Sequence, residues 1–448
     1  MRQLTFLAFA SRPELFMNLK RSRIVPVIRL VIFVLALATL GFSQSEFIVY
    51  DFAGATLGTG PEANLIDDKA GNLYGTTAGG GPSDSGTVFE LVRPVAGKKQ
   101  WTASNLYVFS GKDGANPVSG LVFDAAGNLY GTTSAGGTFN KGTVFELLPP
   151  PVTGGNWTEV VLYNFRGVKN GDGDGPPAGL VFDKSGNLYG VTQFGGLPYG
   201  GSCSQRGCGV VFELTPSTGG GEWIETLLHE FKYGLGGNPT AALILDSAGH
   251  LYGTTYVGGK GLRGLVYRLT PPASGGTWSF KVLHAFTAGQ SDGGYVRGGV
   301  TLQNGSLYGT TYGFGQWGSG TLFEIKPPAS PGDPWTESVL YSFRCDTGCF
   351  PYSTVISDAK GNLYGTTRMG GGSGGCIDGG CGTVYRLAPP PLGGTIWTET
   401  VLHAFPSNPN GKDGTEPIGG LLLGANGVLY GTTDGDVSGG GAVFGVAP

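Results

Sequence analysis

The tripeptide Leu-Tyr-Gly returns seven times in this chain, with its tyrosine at 74, 130, 189, 252, 308, 364 and 430, and Thr-Thr follows in six of the seven copies. Successive copies lie 56 to 66 residues apart. A self-similar period of this kind means that each copy is one supersecondary unit that buries itself against its neighbours. The period therefore decides the architecture before any single side chain does.

One copy shows the unit: Gly120-Leu-Val-Phe-Asp124, Gly127-Asn-Leu-Tyr-Gly-Thr-Thr133, a glycine-rich loop, Gly142-Thr-Val-Phe-Glu-Leu147, a Pro/Gly connector, and Trp157-Thr-Glu-Val-Val-Leu-Tyr-Asn-Phe165. Each run is short, β-branched and aromatic, and bounded by Gly, Pro or Asp, which predicts four strands, a to d. The a-to-b connection opens with Asp-x-x-Gly at Asp68, Asp124, Asp183, Asp246 and Asp358. An aspartate that bonds its own turn, followed by a glycine free to take positive φ, predicts a tight hairpin and gives these carboxylates a structural role. The glycine inside Leu-Tyr-Gly is expected to let a neighbouring blade approach near the axis.

Four antiparallel strands repeated seven times predict an all-β, seven-bladed β-propeller. The chain ends supply a check on closure. Phe47 to Phe52 resembles a strand d, whereas Gly441 to Val446 is a strand c. The N-terminal strand is thus expected to pair with Ala442 to Val446 and complete the C-terminal blade. This assigns 46–448 to the propeller.

Residues 1–45 read differently. Basic Lys20, Arg21, Arg23 and Arg29 precede an apolar run from Leu30 to Leu40, then small and polar residues to Ser45, the order of a cleavable signal peptide. Met17 is a candidate for the true start. Without the leader the chain holds 22 Lys+Arg against 31 Asp+Glu, a net charge of −9. That acidity argues against nucleic acid and anionic membrane surfaces as partners, and a monomer is expected. Six cysteines form three close pairs, Cys203 with Cys208, Cys345 with Cys349, and Cys376 with Cys381, expected as local disulfides in an exported chain.

The string Gly-Asn-Leu-Tyr-Gly-Thr-Thr, a Gly-Gly loop and Gly-Thr-Val-Phe-Glu-Leu together resemble the GloVer tandem-repeat family of exported bacterial proteins. The resemblance spans about nine-tenths of the chain. It implies a secreted or periplasmic, envelope-associated protein and brings no catalytic residue with it. Members often carry a C-terminal sorting segment after the repeats. None follows here before Pro448, so surface anchoring is not expected.

In a four-stranded meander the b-to-c and d-to-a loops leave on one face. Most length variation and all six cysteines fall there, which makes that face the expected functional one. The positions after Leu-Tyr-Gly-x-Thr hold Ala78, Ser134, Gln193, Tyr256, Tyr312, Arg368 and Asp434 and are expected to rim the central opening. Tyr256, Tyr312, Phe314 and Trp317 are expected to form an aromatic group suited to sugar rings or peptide side chains. Trp317 is the only tryptophan outside the six that begin strand d.

All four histidines occupy repeat slots: His229, His284 and His403 stand where other copies have Tyr107, Tyr163 or Tyr341, and His250 replaces a turn Asn. None is left over for a catalytic triad or a multi-histidine metal site, and no cofactor is expected. Asn170-Gly-Asp172-Gly-Asp174-Gly175 is similar to a calcium loop but lacks the downstream Glu. Asp172 and Asp174 are therefore minor Ca²⁺ candidates. The reading that follows is a secreted recognition module for glycan or protein. The alternatives are a carbohydrate-active hydrolase or lyase with an axial pocket, and a structural envelope protein.

Overall fold

Each Leu-Tyr-Gly copy is the second strand of a four-stranded antiparallel sheet, and seven such sheets form a seven-bladed β-propeller. The computed structural model describes residues 46–448 apart from 53–56, 96–97, 99, 153, 198–202, 204, 218–220, 331, 373–379, 406–413 and 436–439. The expected leader and Met17 lie outside the described residues. In blade 1 the strands are Ile66–Asp67, Leu73–Thr77, Thr87–Val92 and Thr102–Val108. Blades 2 to 6 repeat this order. A 3-10 turn, Val168–Asn170, lies in the connection from blade 2 to blade 3.

Closure follows the expected route. Glu46–Asp51 pairs antiparallel with Ala442–Val446 as the outer strand of blade 7. Its register skips one residue between Ile48 and Tyr50, and every other c-to-d pairing skips one residue at the same place, as between Val88 and Phe89. The N-terminal segment thus carries the bulge of a true strand d.

The core lies between blades. The joint of blades 1 and 2, for instance, buries Tyr74, Val88 and Phe109 against Leu121, Leu129, Phe145 and Leu147. The joint of blades 7 and 1 buries Val49, Phe52, Tyr430 and Val443 against Leu65, Leu73 and Phe89. The tryptophans before strand d lie across these joints: Trp101 meets Tyr430 edge-on at 5.9 Å, and Trp278 meets Tyr189 at 5.8 Å.

The aspartate turns form as expected. Asp68 Oδ1 accepts the Ala70 and Asn72 amides, and its Oδ2 accepts the Asn72 side chain and the Tyr74 hydroxyl. Strand a is shorter than expected, two paired residues in six blades and four in blade 5. Its first half is engaged elsewhere. The first threonine of each Thr-Thr donates its hydroxyl to a carbonyl there in the next blade: Thr76 to Ser119, Thr132 to Ala178, Thr254 to Gly298, Thr310 to Ser353, Thr366 to Gly419 and Thr432 to Ala63, at 3.0 to 3.3 Å. This belt crosses every joint except that of blades 3 and 4, where the position is Val191.

The Leu-Tyr-Gly glycine corrects an expectation. A Cβ on Gly75 would lie 2.6 Å from Phe89 and 2.9 Å from Leu65, both of the same blade. The glycine makes room for its own strand-c ring. Close approach between blades falls instead at residues such as Gly298, whose Cβ would stand 2.6 Å from the Ser353 backbone of the next blade.

Candidate functional site

Seven copies of one backbone clip build the rim. The residue before the Pro-x segment that leads into strand a is left-handed in every blade: Gly60, Asn116, Gly175, Asn238, Tyr295, Phe350 and Glu416, with φ between 51° and 66°. Its amide donates to the preceding blade, as Asn116 N–H does to Ser85. Its carbonyl accepts the amide of the residue after strand b of its own blade, as Asn116 does from Ser134, Asn238 from Tyr256 and Tyr295 from Tyr312. The expected rim residues are thus held by their main chain, whatever side chain they carry.

Two residues past each left-handed position lies a second slot, occupied by Glu62, Val118, Pro177, Thr240, Arg297, Tyr352 and Ile418 in turn. These side chains, with the small residues after them and Gln193, line an axial cavity of about 250 Å³. Every blade contributes to it.

Blades 4 to 6 give this mouth a basic and aromatic sector. Tyr256 stacks on Tyr295 at 5.0 Å, Tyr295 packs against Phe314 at 5.6 Å, and Tyr312 stacks on Phe350 at 5.1 Å. The Arg297 guanidinium joins the groups, 4.6 Å from the Tyr256 ring centroid, 4.8 Å from Tyr352 and 5.5 Å from Tyr312, and donates a 2.7 Å hydrogen bond to the Tyr352 hydroxyl. Arg263 lies over Tyr295 and Phe314 and donates to the Tyr295 hydroxyl. Of the aromatic group expected from the sequence, Tyr256 and Phe314 are joined through Tyr295, and Tyr256 and Tyr312 through the Arg297 guanidinium. Trp317 stands apart, half-exposed, 5.0 Å from Arg344.

Blades 7 and 1 make an acidic sector. Arg368 donates through Nε and Nη2 to Glu416 Oε2 at 2.9 and 2.8 Å. Burial first, and then the charge of Asp434, push the Glu62 carboxyl above its ordinary range. Burial and then Glu416 do the same to Asp434, with Arg368 acting the other way. Sequence reading missed Glu62, Tyr295, Arg297, Phe350, Tyr352 and Glu416. The signal was available in the Pro-x register of the seven copies, but blade 5 hides it by placing Val296 where the others have proline.

The calcium candidates sit elsewhere on this face and are already engaged. Asp174, almost fully buried, meets Lys141 at 2.8 Å and Arg206 at 3.2 Å. Asp172 accepts the Tyr163 hydroxyl at 3.0 Å and the amides of Arg166 and Gly173. A cation at Asp174 would have to displace two charged side chains. The cysteine pairs 203–208 and 345–349 are disulfides; Cys376 of the third expected pair lies outside the described residues.

The histidine slots hold one arrangement the sequence did not show. Ligand atoms of His284, Asp292 and Glu337 lie within 4.8 Å of one another at the joint of blades 4 and 5, so these three residues could hold a metal ion. His284 Nε2 is 3.2 Å from Asp292. The same place in the joint of blades 2 and 3 holds a phenol latch, where Tyr163 donates to Asp172 at 3.0 Å and to Glu225 at 2.8 Å. The trio is thus one version of a repeated outer latch.

Fold and mouth together define a repeat propeller with a rigid ring and one chemically varied face. The chain belongs to the Gloeobacter/Verrucomicrobia repeat family, whose profile matches residues 31–220 and 198–444. No curated protein matches it. Among solved structures it is similar to the extracellular domain of a protein assigned as a one-component system from B. thetaiotaomicron, at 11% identity and a TM-score of 0.50, covering 90% of this chain and 42% of that one. It is also similar to a protein of Bacteroides uniformis assigned as a 6-phosphogluconolactonase, at 14% identity and 0.44, over 84% and 88%. A protein of unknown function from Dyadobacter fermentans matches at 12% and 0.40, over 80% and 97%. These likenesses concern the fold alone. Two disulfides in a chain of this repeat family point to an extracellular location. No helix among the described residues is long and apolar enough to cross a membrane.

Proposed function

We propose that the protein is a secreted or periplasmic recognition module that binds a glycan at the axial mouth. The observation that carries this reading is the aromatic sector around Arg297. Blades 1 to 4 fill the left-handed position with glycine or asparagine, which tolerate it; blades 5 and 6 place Tyr295 and Phe350 there. A bulky residue in that conformation costs roughly 1–2 kcal/mol, a cost the clip does not require and which brings rings to the rim. Ring faces beside hydrogen-bonding groups are what a sugar needs. The paired variant Tyr256→Ala with Tyr312→Ala is expected to keep the fold and lose binding on an oligosaccharide array. Binding unchanged from the native protein, or none by either, would sink the reading.

A hydrolytic second reading is favoured by Glu62 and Asp434, two carboxyls at the mouth that burial raises first, with the charge of Asp434 then adding to Glu62 and that of Glu416 to Asp434. It predicts new reducing ends from an oligosaccharide, abolished in Glu62→Gln.

A further inference from the structure

The cavity holds a positive charge that the protein leaves uncompensated. Arg206, Arg344 and Arg368 each meet a carboxylate within 3.2 Å. Arg297 lines the cavity and, among the described residues, meets none within ion-pair distance; its Nε is buried without a hydrogen-bond partner. Tyrosine rings lie around the guanidinium and one Nη1 hydrogen is spent on Tyr352, so what remains is a set of in-plane donors directed from a partly desolvated group. Such a group is costly when unpaired and strong when it meets an anion. The neighbouring Arg263, held over Tyr295 and Phe314, has no carboxylate partner either among the described residues. Two unpaired guanidiniums on an aromatic ladder interrupt the surface of a chain whose net charge is negative.

We propose that Arg297 anchors a carboxylate, so that the ligand of the mouth is an acidic glycan built from uronate sugars. This rests on the glycan reading above and names its class. The planar, two-oxygen acceptor of a uronate matches the in-plane donors of guanidinium, while the tyrosine rings take the apolar face of the sugar. Glu62 across the cavity accepts from hydroxyls.

The test is calorimetry on the whole secreted chain with galacturonate and mannuronate oligosaccharides, with the methyl-esterified galacturonan, a neutral cello-oligosaccharide and a sulfated oligosaccharide as controls. An acidic oligosaccharide should bind, more weakly as salt is raised. Esterification or Arg297→Gln should each weaken binding about tenfold to a hundredfold, the worth of a hydrogen bond to a charged partner. Arg297→Lys, which keeps the charge without the fork, should recover part of the loss, and it guards against a Gln variant that fails to fold. Equal affinity for free and esterified chains, or binding of sulfated oligosaccharides alone, overturns the carboxylate anchor and leaves the glycan reading standing. Binding of no oligosaccharide at all overturns both.

Discussion

The joint between blades 2 and 3 and the joint between blades 3 and 4 have the same backbone and opposite chemistry. At the first, Thr132 donates across to Ala178 and Tyr163 bridges Asp172 and Glu225. At the second, Val191 replaces the threonine and packs in a core that also buries Cys203 and Cys208, and His229 stacks flat on Phe280 at 3.9 Å. Blade geometry is thus indifferent to whether a joint is latched by hydrogen bonds or by packing. Ring stability comes mainly from the buried aromatic and aliphatic faces, and the latch sets how each joint responds to charge.

The largest test of this equivalence is to force the polar latch onto the apolar joint. Phe280→Glu puts a carboxylate against a histidine that burial first, and Lys232 second, hold neutral down to about pH 4. It removes the stacked ring as well, so a loss of about 2–3 kcal/mol is expected in a denaturant titration. Adding His229→Tyr rebuilds the pair found as Tyr341 with Glu399, 2.7 Å apart at the next-but-one joint. If the joints are equivalent, the double variant regains about 1 kcal/mol of that loss. A double variant as unstable as the single one would show that each joint is tuned to its own latch.

The two chemistries also predict opposite responses to pH. Burial, with Asp172 next, raises the Glu225 carboxyl to about 8; burial also raises Glu159 and Glu337 to about 7. A folded pKa above the unfolded value of 4.5 means that the native state binds more protons. This stability is complete below pH 4.5 and is lost as pH rises through 7 to 8. His229 has the reverse sign, its folded pKa of about 4 lying below the unfolded 6.5. Its share is present above pH 6.5 and is lost as pH falls toward 4. Melting temperatures should therefore show Glu225→Gln flattening the profile between pH 4.5 and 8 and His229→Phe flattening it between 4 and 6.5. A Glu225→Gln profile parallel to the native one above pH 6.5 would break the contrast.

Much of this was legible from residues alone, because the repeat prints its demands seven times. The hairpin aspartates and the cysteine pairs 203–208 and 345–349 each satisfy a backbone or covalent need near in sequence, and the closing strand at Phe47 was legible because it repeats the strand-d pattern, although its partner Ala442–Val446 lies at the other end of the chain. The Leu-Tyr-Gly glycine was misread for a physical reason: its tight neighbour, Phe89, is adjacent across the sheet and not along the chain. The mouth was half legible. Rim positions such as Tyr256 and Arg368 follow directly from strand b, but Arg297 and Glu62 reach the cavity only when all seven blades meet around the axis. Their pairing with Tyr352 or Asp434 crosses 55 residues or the whole ring, a separation that no local pattern encodes.

The smallest expected effect tests the belt itself. Thr132→Val copies into the joint of blades 2 and 3 the residue that the next joint already tolerates, at nearly constant volume. It removes the hydroxyl donor and leaves the Ala178 carbonyl short of a partner, a cost of about 1 kcal/mol for a buried neutral hydrogen bond. In a ring this large that is a fall of roughly 1–2 °C in melting temperature. The neighbouring Tyr163 latch should be unaffected, so the pH profile should shift downward without changing shape. A change of shape would mean that belt and latch are one network and that the polar joints act as a unit; no fall at all would reduce the belt to a by-product of strand pairing, leaving packing as the common basis of both joints.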